Sequence, residues 1–362
     1  MKICFILGTL QFSGAEKIVK YIINELSKDD YEISVILLSC TKKYDDLKNI
    51  HQIPLFIEKE EKGNKITRVT KRIRRIRKVI FENSFDLVVS FGVKFNLDVA
   101  EAMRGNKTKL ILCERNDPVH DPSSRLLRIR RKIAYKIADG YVFQTKTIQK
   151  FFSKKIQKKS VVIPNFIEKQ PIEEECYEPK RKAFATSARL DIHQKDQITL
   201  LKAFASFNKE YPEYKLEIYG DGPDRKELEK LSIELGIQNN VIFHGRVDNP
   251  MDSIKQCEAF ILSSIYEGMP NALIEAMSVG MPCISTNCGG GGAAELIESE
   301  KNGILVEIGN EEELVAAMIK ICENPEYAQE LGKNAYEINE KLKIEKIIKM
   351  WKEYFKKVSA VS

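Results

Sequence analysis

The alternation of short apolar runs with amphipathic helical segments, broken once between residues 167 and 182 and then restarted, is the pattern that most constrains how this chain folds. Lys2 to Leu7 is an apolar run, followed by the loop Gly8-Thr-Leu-Gln-Phe-Ser-Gly14 and an amphipathic stretch from Ala15 to Leu26. Further runs at Tyr31 to Ser39, Leu87 to Ser90, Leu110 to Cys113 and Gly140 to Phe143 alternate with helical segments. Apolar strands separated by helices predict a parallel sheet covered on both faces. Glu168 to Lys182 mixes acids, bases and prolines without a period, as a linker does. The alternation resumes with strands at Ala183 to Ser187, Leu216 to Tyr219, Val241 to Phe243, Ala259 to Ser263, Cys283 to Thr286 and Ile304 to Val306. Helices are read around Thr199 to Asn208, Asp224 to Leu235 and Asn271 to Val279. A chain of 362 residues exceeds what one hydrophobic core usually serves. The expected architecture is therefore α/β, with two doubly wound parallel-sheet domains at residues 1–166 and 183–342, a linker at 167–182 and a terminal helical segment at 343–362 that carries the only tryptophan, Trp351.

A content of 43% hydrophobic and 30% charged residues suits a soluble globular protein. No stretch reaches the apolar length of a membrane span, and the apolar start enters a glycine loop and a helix rather than a cleavage site, so a cytoplasmic protein is expected. Eight cysteines occur without a Cys-x-x-Cys pair, and Cys4 and Cys283 lie inside apparent strands, so neither structural disulfides nor zinc is expected. The net charge of +6 is modest, but the basic residues cluster. Arg68 to Lys78 holds seven of them and no acid, and Ile66, Val69, Ile73, Ile76 and Ile80 recur at helical spacing, so one isoleucine stripe is expected to be buried with the cations opposite. Arg125 to Lys136 repeats the theme with Arg125, Arg128, Arg130, Arg131, Lys132 and Lys136. Two such helices point to an anionic membrane surface as a partner; solvated helix faces are the bland alternative, and nucleic acid is a competing partner that is not expected.

Open α/β sheets bind ligands beyond the carboxyl ends of their strands, so the loops leaving those strands hold the candidate residues. After Ala259 to Ser263 comes Tyr266-Glu-Gly-Met-Pro-Asn-Ala-Leu-Ile-Glu275, with Asn271 read as the cap of a helix that Gly280 and Pro282 end. Glu267 then precedes the helix and Glu275 lies one turn inside it. A carboxylate accepts hydrogen bonds from adjacent sugar hydroxyls, while the unpaired N–H groups of a helix start attract a diphosphate. Gly268 removes a side chain where backbone approaches a ligand. The plainer alternative is that the glutamates only offset the helix dipole. After Ala183 to Ser187, Arg189 and Lys195 stand six residues apart and suit either a diphosphate clamp or mere surface charge. Ser13-Gly14-Ala15-Glu16 opens the first helix with small residues that can receive a phosphate. Four consecutive glycines, Gly289 to Gly292, read as a flexible connection or as a close approach to phosphate, whereas Tyr219-Gly-Asp-Gly-Pro-Asp224 reads as a structural turn with Asp224 as cap. In the first half, Glu114, Arg115, Asn116, Asp117 and His120 follow a strand and are the acid–base candidates, although a lone loop histidine is more often solvated. His51, His193 and His244 share no metal-ligand spacing.

Glu267-Gly-x-Pro-Asn-x-Leu-x-Glu275-Ala, followed by Gly280-Met-Pro and Ile284-Ser-Thr, resembles the signature of the family 4 retaining glycosyltransferases of the GT-B fold, among them bacterial capsular, exopolysaccharide and lipid-linked glycan transferases. The resemblance spans nearly the whole chain. It implies two Rossmann-like domains, the first on the acceptor side and the second binding a nucleotide sugar, with the terminal helix crossing back to the first. It implies that Glu275 binds the nucleotide ribose, that Glu267 orients the donor sugar, and that Gly268, Met269 and Asn271 add backbone contacts. Arg189 and Lys195 would hold the diphosphate, Gly14 would face its leaving-group side, and the backbone at Val247 would meet the nucleobase. His120 would lie against donor sugar and acceptor. Ser13, Ala188 and Asp196 depart from the usual pattern, and His120 comes later than its counterpart. No Asp-x-Asp element exists to hold a divalent cation, so no metal or other cofactor is expected and helix N-termini with Arg189 and Lys195 would stabilise the leaving group. The implied activity is transfer of a sugar from a UDP-linked donor to a hydroxyl of a lipid-linked or growing surface polysaccharide, at the inner face of the plasma membrane. A nucleotide-sugar epimerase of the same architecture, or a nonenzymatic membrane- or nucleic-acid-binding module, is the alternative.

Overall fold

The computed structural model describes residues 1–8, 14–38, 47, 50–55, 65–167, 179 and 181–360. The chain divides into two compact units, one of Met1–Phe166 with Ile344–Ser362 and the other of Ile167–Lys343. Residues 9–13 of the first strand exit and most of the expected linker lie outside the described residues.

The first unit contains the strands β1 (Lys2–Leu7), β2 (Glu32–Leu37), β3 (His51–Pro54), β4 (Leu87–Phe91), β5 (Lys109–Glu114), β6 (Gly140–Phe143) and β7 (Ser160–Val162). They form one parallel sheet in the order β3-β2-β1-β4-β5-β6-β7. Successive side chains of a strand face opposite ways, and β1 shows the result. Ile3, Phe5 and Leu7 join one buried cluster with Trp351 and Phe355, while Cys4 and Ile6 join another with Leu97 and Met103. Both faces are thus covered, which is why the strand reads as uninterrupted apolar sequence. The helix Ile344–Ala360 belongs to this unit. Its Trp351 is fully buried 5.9 Å from the Phe91 ring, and its Tyr354 hydroxyl accepts the Tyr141 N–H at 2.8 Å. The short strands β3 and β7 have no counterpart in the apolar pattern, because four and three residues are too few to show one.

The second unit contains β8 (Ala183–Ser187), β9 (Lys215–Tyr219), β10 (Val241–Gly245), β11 (Ala259–Leu262), β12 (Cys283–Thr286) and β13 (Ile304–Val306). All pair in parallel, in the order β10-β9-β8-β11-β12-β13. In β11, Ala259 and Ile261 face one cluster and Phe260 and Leu262 the other. The helix Gln197–Glu210 is capped by Asp196, whose left-handed backbone (φ 46°) turns its carboxylate to accept the Thr199 N–H at 3.3 Å and the Thr199 hydroxyl at 2.8 Å.

Two sequence readings need correction. Asn271 is the first residue of the helix Asn271–Ser278, not its cap; Pro270 holds the cap position, with its fixed φ and missing N–H suited to that boundary. Asp224 does precede the helix Arg225–Glu234, but its carboxylate accepts the Ile192 N–H at 2.9 Å and so ties β9's exit to the segment after β8.

Candidate active site

In the second sheet the strand order reverses between β8 and β11, which run side by side although the chain leaves them toward opposite edges. Such a switch point opens a crevice beyond the carboxyl ends of the two strands. The connections that leave β8 and β11 carry Lys195 and Glu267, respectively.

These two side chains meet. The Lys195 ammonium pairs with Glu267 Oε1, and their side chains are only 18% and 10% exposed. The Ser264 hydroxyl donates to the same oxygen at 2.8 Å, and Thr286 of β12 donates to the Ser264 carbonyl at 2.5 Å. The Ser263 hydroxyl donates to the Lys195 carbonyl at 2.7 Å, and the Ile265 N–H to the Gln194 carbonyl at 2.8 Å. The Glu267 N–H donates to the Gly289 carbonyl at 2.8 Å, and the Gly289 N–H to the Ile265 carbonyl at 2.9 Å. Three strand exits are thereby laced together around one cation and one carboxylate. An ammonium held this way can pass to an incoming phosphate, leaving the carboxylate to accept sugar hydroxyls.

The glycine run has a steric explanation. Gly290 and Gly291 adopt left-handed φ of 87° and 73°, and a Cβ on Gly292 would lie 2.1 Å from the Gly268 carbonyl oxygen and 2.8 Å from Pro270 Cδ. The run presses the start of the helix Gly292–Leu296 onto the Glu267 loop, so it is packed rather than loose. The Tyr219–Asp224 turn acts similarly, since a Cβ on Gly220 or Gly222 would strike the carbonyl of Ala188 or Leu190 at 2.0 and 2.1 Å. That turn braces the segment bearing Arg189.

Arg189 itself is 63% exposed and pairs with Asp191, so it must leave that carboxylate to grip a phosphate. Glu275 lies on the exposed face of its helix, Met269 is buried and Asn271 is half-buried. Val247 is exposed beyond β10. Beside it, His244 stacks on Tyr219 at 4.3 Å and lies 3.2 Å from the buried carboxylate of Glu217. Ser264 and Thr286 are supporting residues that the motifs do not single out; a pair of serines at a strand exit is the available signal for the first.

In the first unit, Gly14 opens the helix Gly14–Leu26 after β1. The candidates after β5 form a compact loop. His120 Nδ1 pairs with the buried carboxylate of Asp117, whose Oδ1 accepts the Val119 N–H at 3.1 Å. In a neutral ring that pairing places the proton on Nδ1 and makes Nε2 the basic nitrogen. Glu114 is buried against Tyr135, whose hydroxyl donates to it and accepts from Asn96 Nδ2 at 3.1 Å. Burial pushes the Glu114 carboxyl up to about 7, with the Tyr135 hydroxyl and Arg131 opposing the rise. Burial also pulls the Arg115 guanidinium down to about 10. A groove of about 630 Å³ lined by Phe81, Asp86 and Lys107 lies at the opposite, amino end of these strands, away from any strand exit.

The basic helices are only partly outward. Arg72 and Arg130 both reach the fully buried carboxylate of Asp98, Arg77 donates to the Ala102 and Arg104 carbonyls, and Arg131 is buried. Arg68, Lys71, Arg74, Lys78, Arg125, Lys132 and Lys136 are exposed. The isoleucine stripe of the helix Lys65–Asn83 buries Ile76 and Ile80 but leaves Ile66 74% exposed, against expectation. On the helix Arg125–Ala134, Leu126, Ile129 and Ile133 form an exposed apolar row at 73%, 50% and 53%.

Two units, each built on one parallel sheet, are the architecture of the GT-B fold, and comparison with known proteins supplies the family. Residues 12–170 match the family described as Glycosyltransferase Family 4, and residues 168–338 the family described as Glycosyl transferases group 1. An uncharacterized glycosyltransferase of Methanocaldococcus jannaschii is 30% identical over 328 residues, covering 76% of this chain and 80% of that protein. The GalNAc-alpha-(1->4)-GalNAc-alpha-(1->3)-diNAcBac-PP-undecaprenol alpha-1,4-N-acetyl-D-galactosaminyltransferase of Campylobacter jejuni is 27% identical, covering 97% of each chain. Anabaena HepE in complex with UDP and glucose has the same fold, with a TM-score of 0.81 at 20% identity over 98% of this chain and 99% of that one. The chain belongs to the family 4 glycosyltransferases.

Proposed function

We propose that the chain is a retaining glycosyltransferase that moves a sugar from a UDP-linked donor to a hydroxyl of a lipid-linked or growing surface glycan. The Lys195–Glu267 pair at the β8/β11 switch point carries this reading. Lys195 and Arg189 take the diphosphate, Glu275 the ribose, Glu267 the donor sugar, and the backbone of Gly268, Met269 and Asn271 completes the cradle. Val247 meets the base through its backbone, and in the first unit Gly14 and His120 carry the leaving-group and sugar–acceptor roles that the family resemblance implies. Cationic side chains and helix starts, in place of a metal, stabilise the departing nucleoside diphosphate. Support comes from the Campylobacter relative, whose name specifies an undecaprenol diphosphate-linked glycan, and from HepE, which was crystallised with UDP.

A thermal-shift panel with UDP, GDP and ADP on the wild type and on Glu275→Ala tests the donor site. Ligand at about 100 times its dissociation constant stabilises a native protein by roughly 2.7 kcal/mol. A shift given by UDP and lost in the variant is expected; a well-folded wild type indifferent to all three contradicts the reading.

An acceptor on a lipid calls for a protein that reaches the bilayer surface. Among the described residues no helix is long and apolar enough to cross a membrane. The exposed cations of Lys65–Asn83 and Arg125–Ala134, with the Leu126, Ile129 and Ile133 row, suit peripheral attachment to an anionic cytoplasmic leaflet instead. At about 1 kcal/mol per cation, replacing Arg68, Lys71, Arg74 and Lys78 by glutamine weakens binding to phosphatidylglycerol vesicles on the order of a thousandfold in sedimentation. Unchanged binding contradicts the attachment.

A further inference from the structure

The helix Arg125–Ala134 shows its apolar row to solvent and an arginine pair to the loop that bears His120. Arg131 is 4% exposed; its Nη1 donates to the Asp121 carbonyl at 2.9 Å and its Nη2 to the Pro118 carbonyl at 2.8 Å. Those two peptide groups bracket Val119 and His120. One turn earlier, Arg128 Nε donates to the Pro122 carbonyl at 2.8 Å. A guanidinium is a planar fork of fixed geometry, so spanning two carbonyls sets the separation and direction of both. A lysine has no such fork.

The surroundings of Arg131 favour a fixed rather than a wandering side chain. Its guanidinium carbon lies 5.1 Å from the Phe151 ring centre and 5.5 Å from that of Phe152. Behind it, Glu114 Oε1 is 4.0 Å from Nη1 and has no hydrogen-bond partner. At that distance the Glu114 carboxyl does not hydrogen-bond Arg131 and so does not draw it from the loop carbonyls. On the far side of the loop, Asp117 closes the turn through the Val119 N–H and takes His120 Nδ1.

We propose that Arg131 is a positioning residue for His120: by holding the Pro118 and Asp121 carbonyls it keeps the Asp117 carboxylate on Nδ1 and so makes Nε2 the nitrogen that accepts a hydrogen bond from a sugar or acceptor hydroxyl. The functional half of this statement rests on the role given to His120 above; the geometric half is tested without substrate.

The chain has four histidines, so long-range ¹H–¹⁵N spectra of histidine-labelled protein report the tautomer of each, and His120→Gln assigns the signal. The wild type is expected to show the Nδ1-protonated form at His120. Arg131→Met is expected to convert it to the Nε2-protonated mixture of a solvated imidazole, with His51, His193 and His244 unmoved. Arg131→Lys, which keeps the charge but cannot span both carbonyls, is expected to lose the Nδ1 form in part, and it decides the question if the methionine variant fails to fold. A wild-type His120 lacking the Nδ1 form, or one unchanged in the lysine variant, overturns the proposal. Transfer by His120→Gln is measured separately, with the donor found by thermal shift. Full activity there would remove the role of His120 while leaving the Arg131 geometry standing.

Discussion

Replacing Lys195 by methionine is expected to lower transfer by about 10²–10³-fold, the loss typical of removing one preorganised charge stabiliser from a transition state. It is also expected to cost about 3 kcal/mol of stability, because Glu267 would be left without its cation in a loop where both side chains are largely covered. The companion change Glu267→Gln separates the two effects. An amide of the same shape keeps an acceptor for Ser264 and Lys195, so its stability loss should stay near 1 kcal/mol. Its transfer rate should still fall by roughly 10²-fold or more, since a neutral amide cannot hold a sugar hydroxyl or offset positive charge as a carboxylate does. Urea unfolding and initial rates check both variants. A methionine variant as stable and active as wild type would mean that the pair is a surface ion pair and nothing more.

The second large effect is expected from Gly292→Ala. Its new methyl group would overlap a carbonyl oxygen of the backbone at 2.1 Å, and no rotamer relieves a clash with a main chain. The Gly268–Pro270 segment must move away, at a cost of about 1–3 kcal/mol. Because Glu267 adjoins that segment and hydrogen-bonds Gly289, donor affinity should fall with stability. Thermal unfolding and donor KM check this, and a variant unchanged in both would show that the contact is not needed to hold the glutamate loop.

The difference between what was legible in the residues and what was not follows from the range of each interaction. Apolar runs such as Lys2-Ile-Cys-Phe-Ile-Leu7 and Ala259-Phe-Ile-Leu262 announce buried parallel strands because both faces of the sheet demand hydrophobic side chains. Arg189, Lys195, Glu267 and Glu275 were visible as charges on strand exits. That Lys195 pairs with Glu267 was not, since 72 residues separate them and only the β8/β11 neighbourhood brings them together. The basic segments misled in the opposite way. Composition counts Arg72, Arg130 and Arg131 as surface cations, but Asp98 and the Pro118–Asp121 carbonyls draw them inward. Residue preference alone points to Asn271 as the cap, whereas in the fold the preceding Pro270 holds that position.

The most direct test of the donor site is a calorimetric titration of UDP into the wild type and into Lys195→Met. A wild type that binds UDP and a folded variant that binds it at least about tenfold more weakly, a loss of some 1.4 kcal/mol, is the predicted result. Equal affinity in the two proteins would place the diphosphate away from Lys195 and contradict the site described at the β8/β11 switch point.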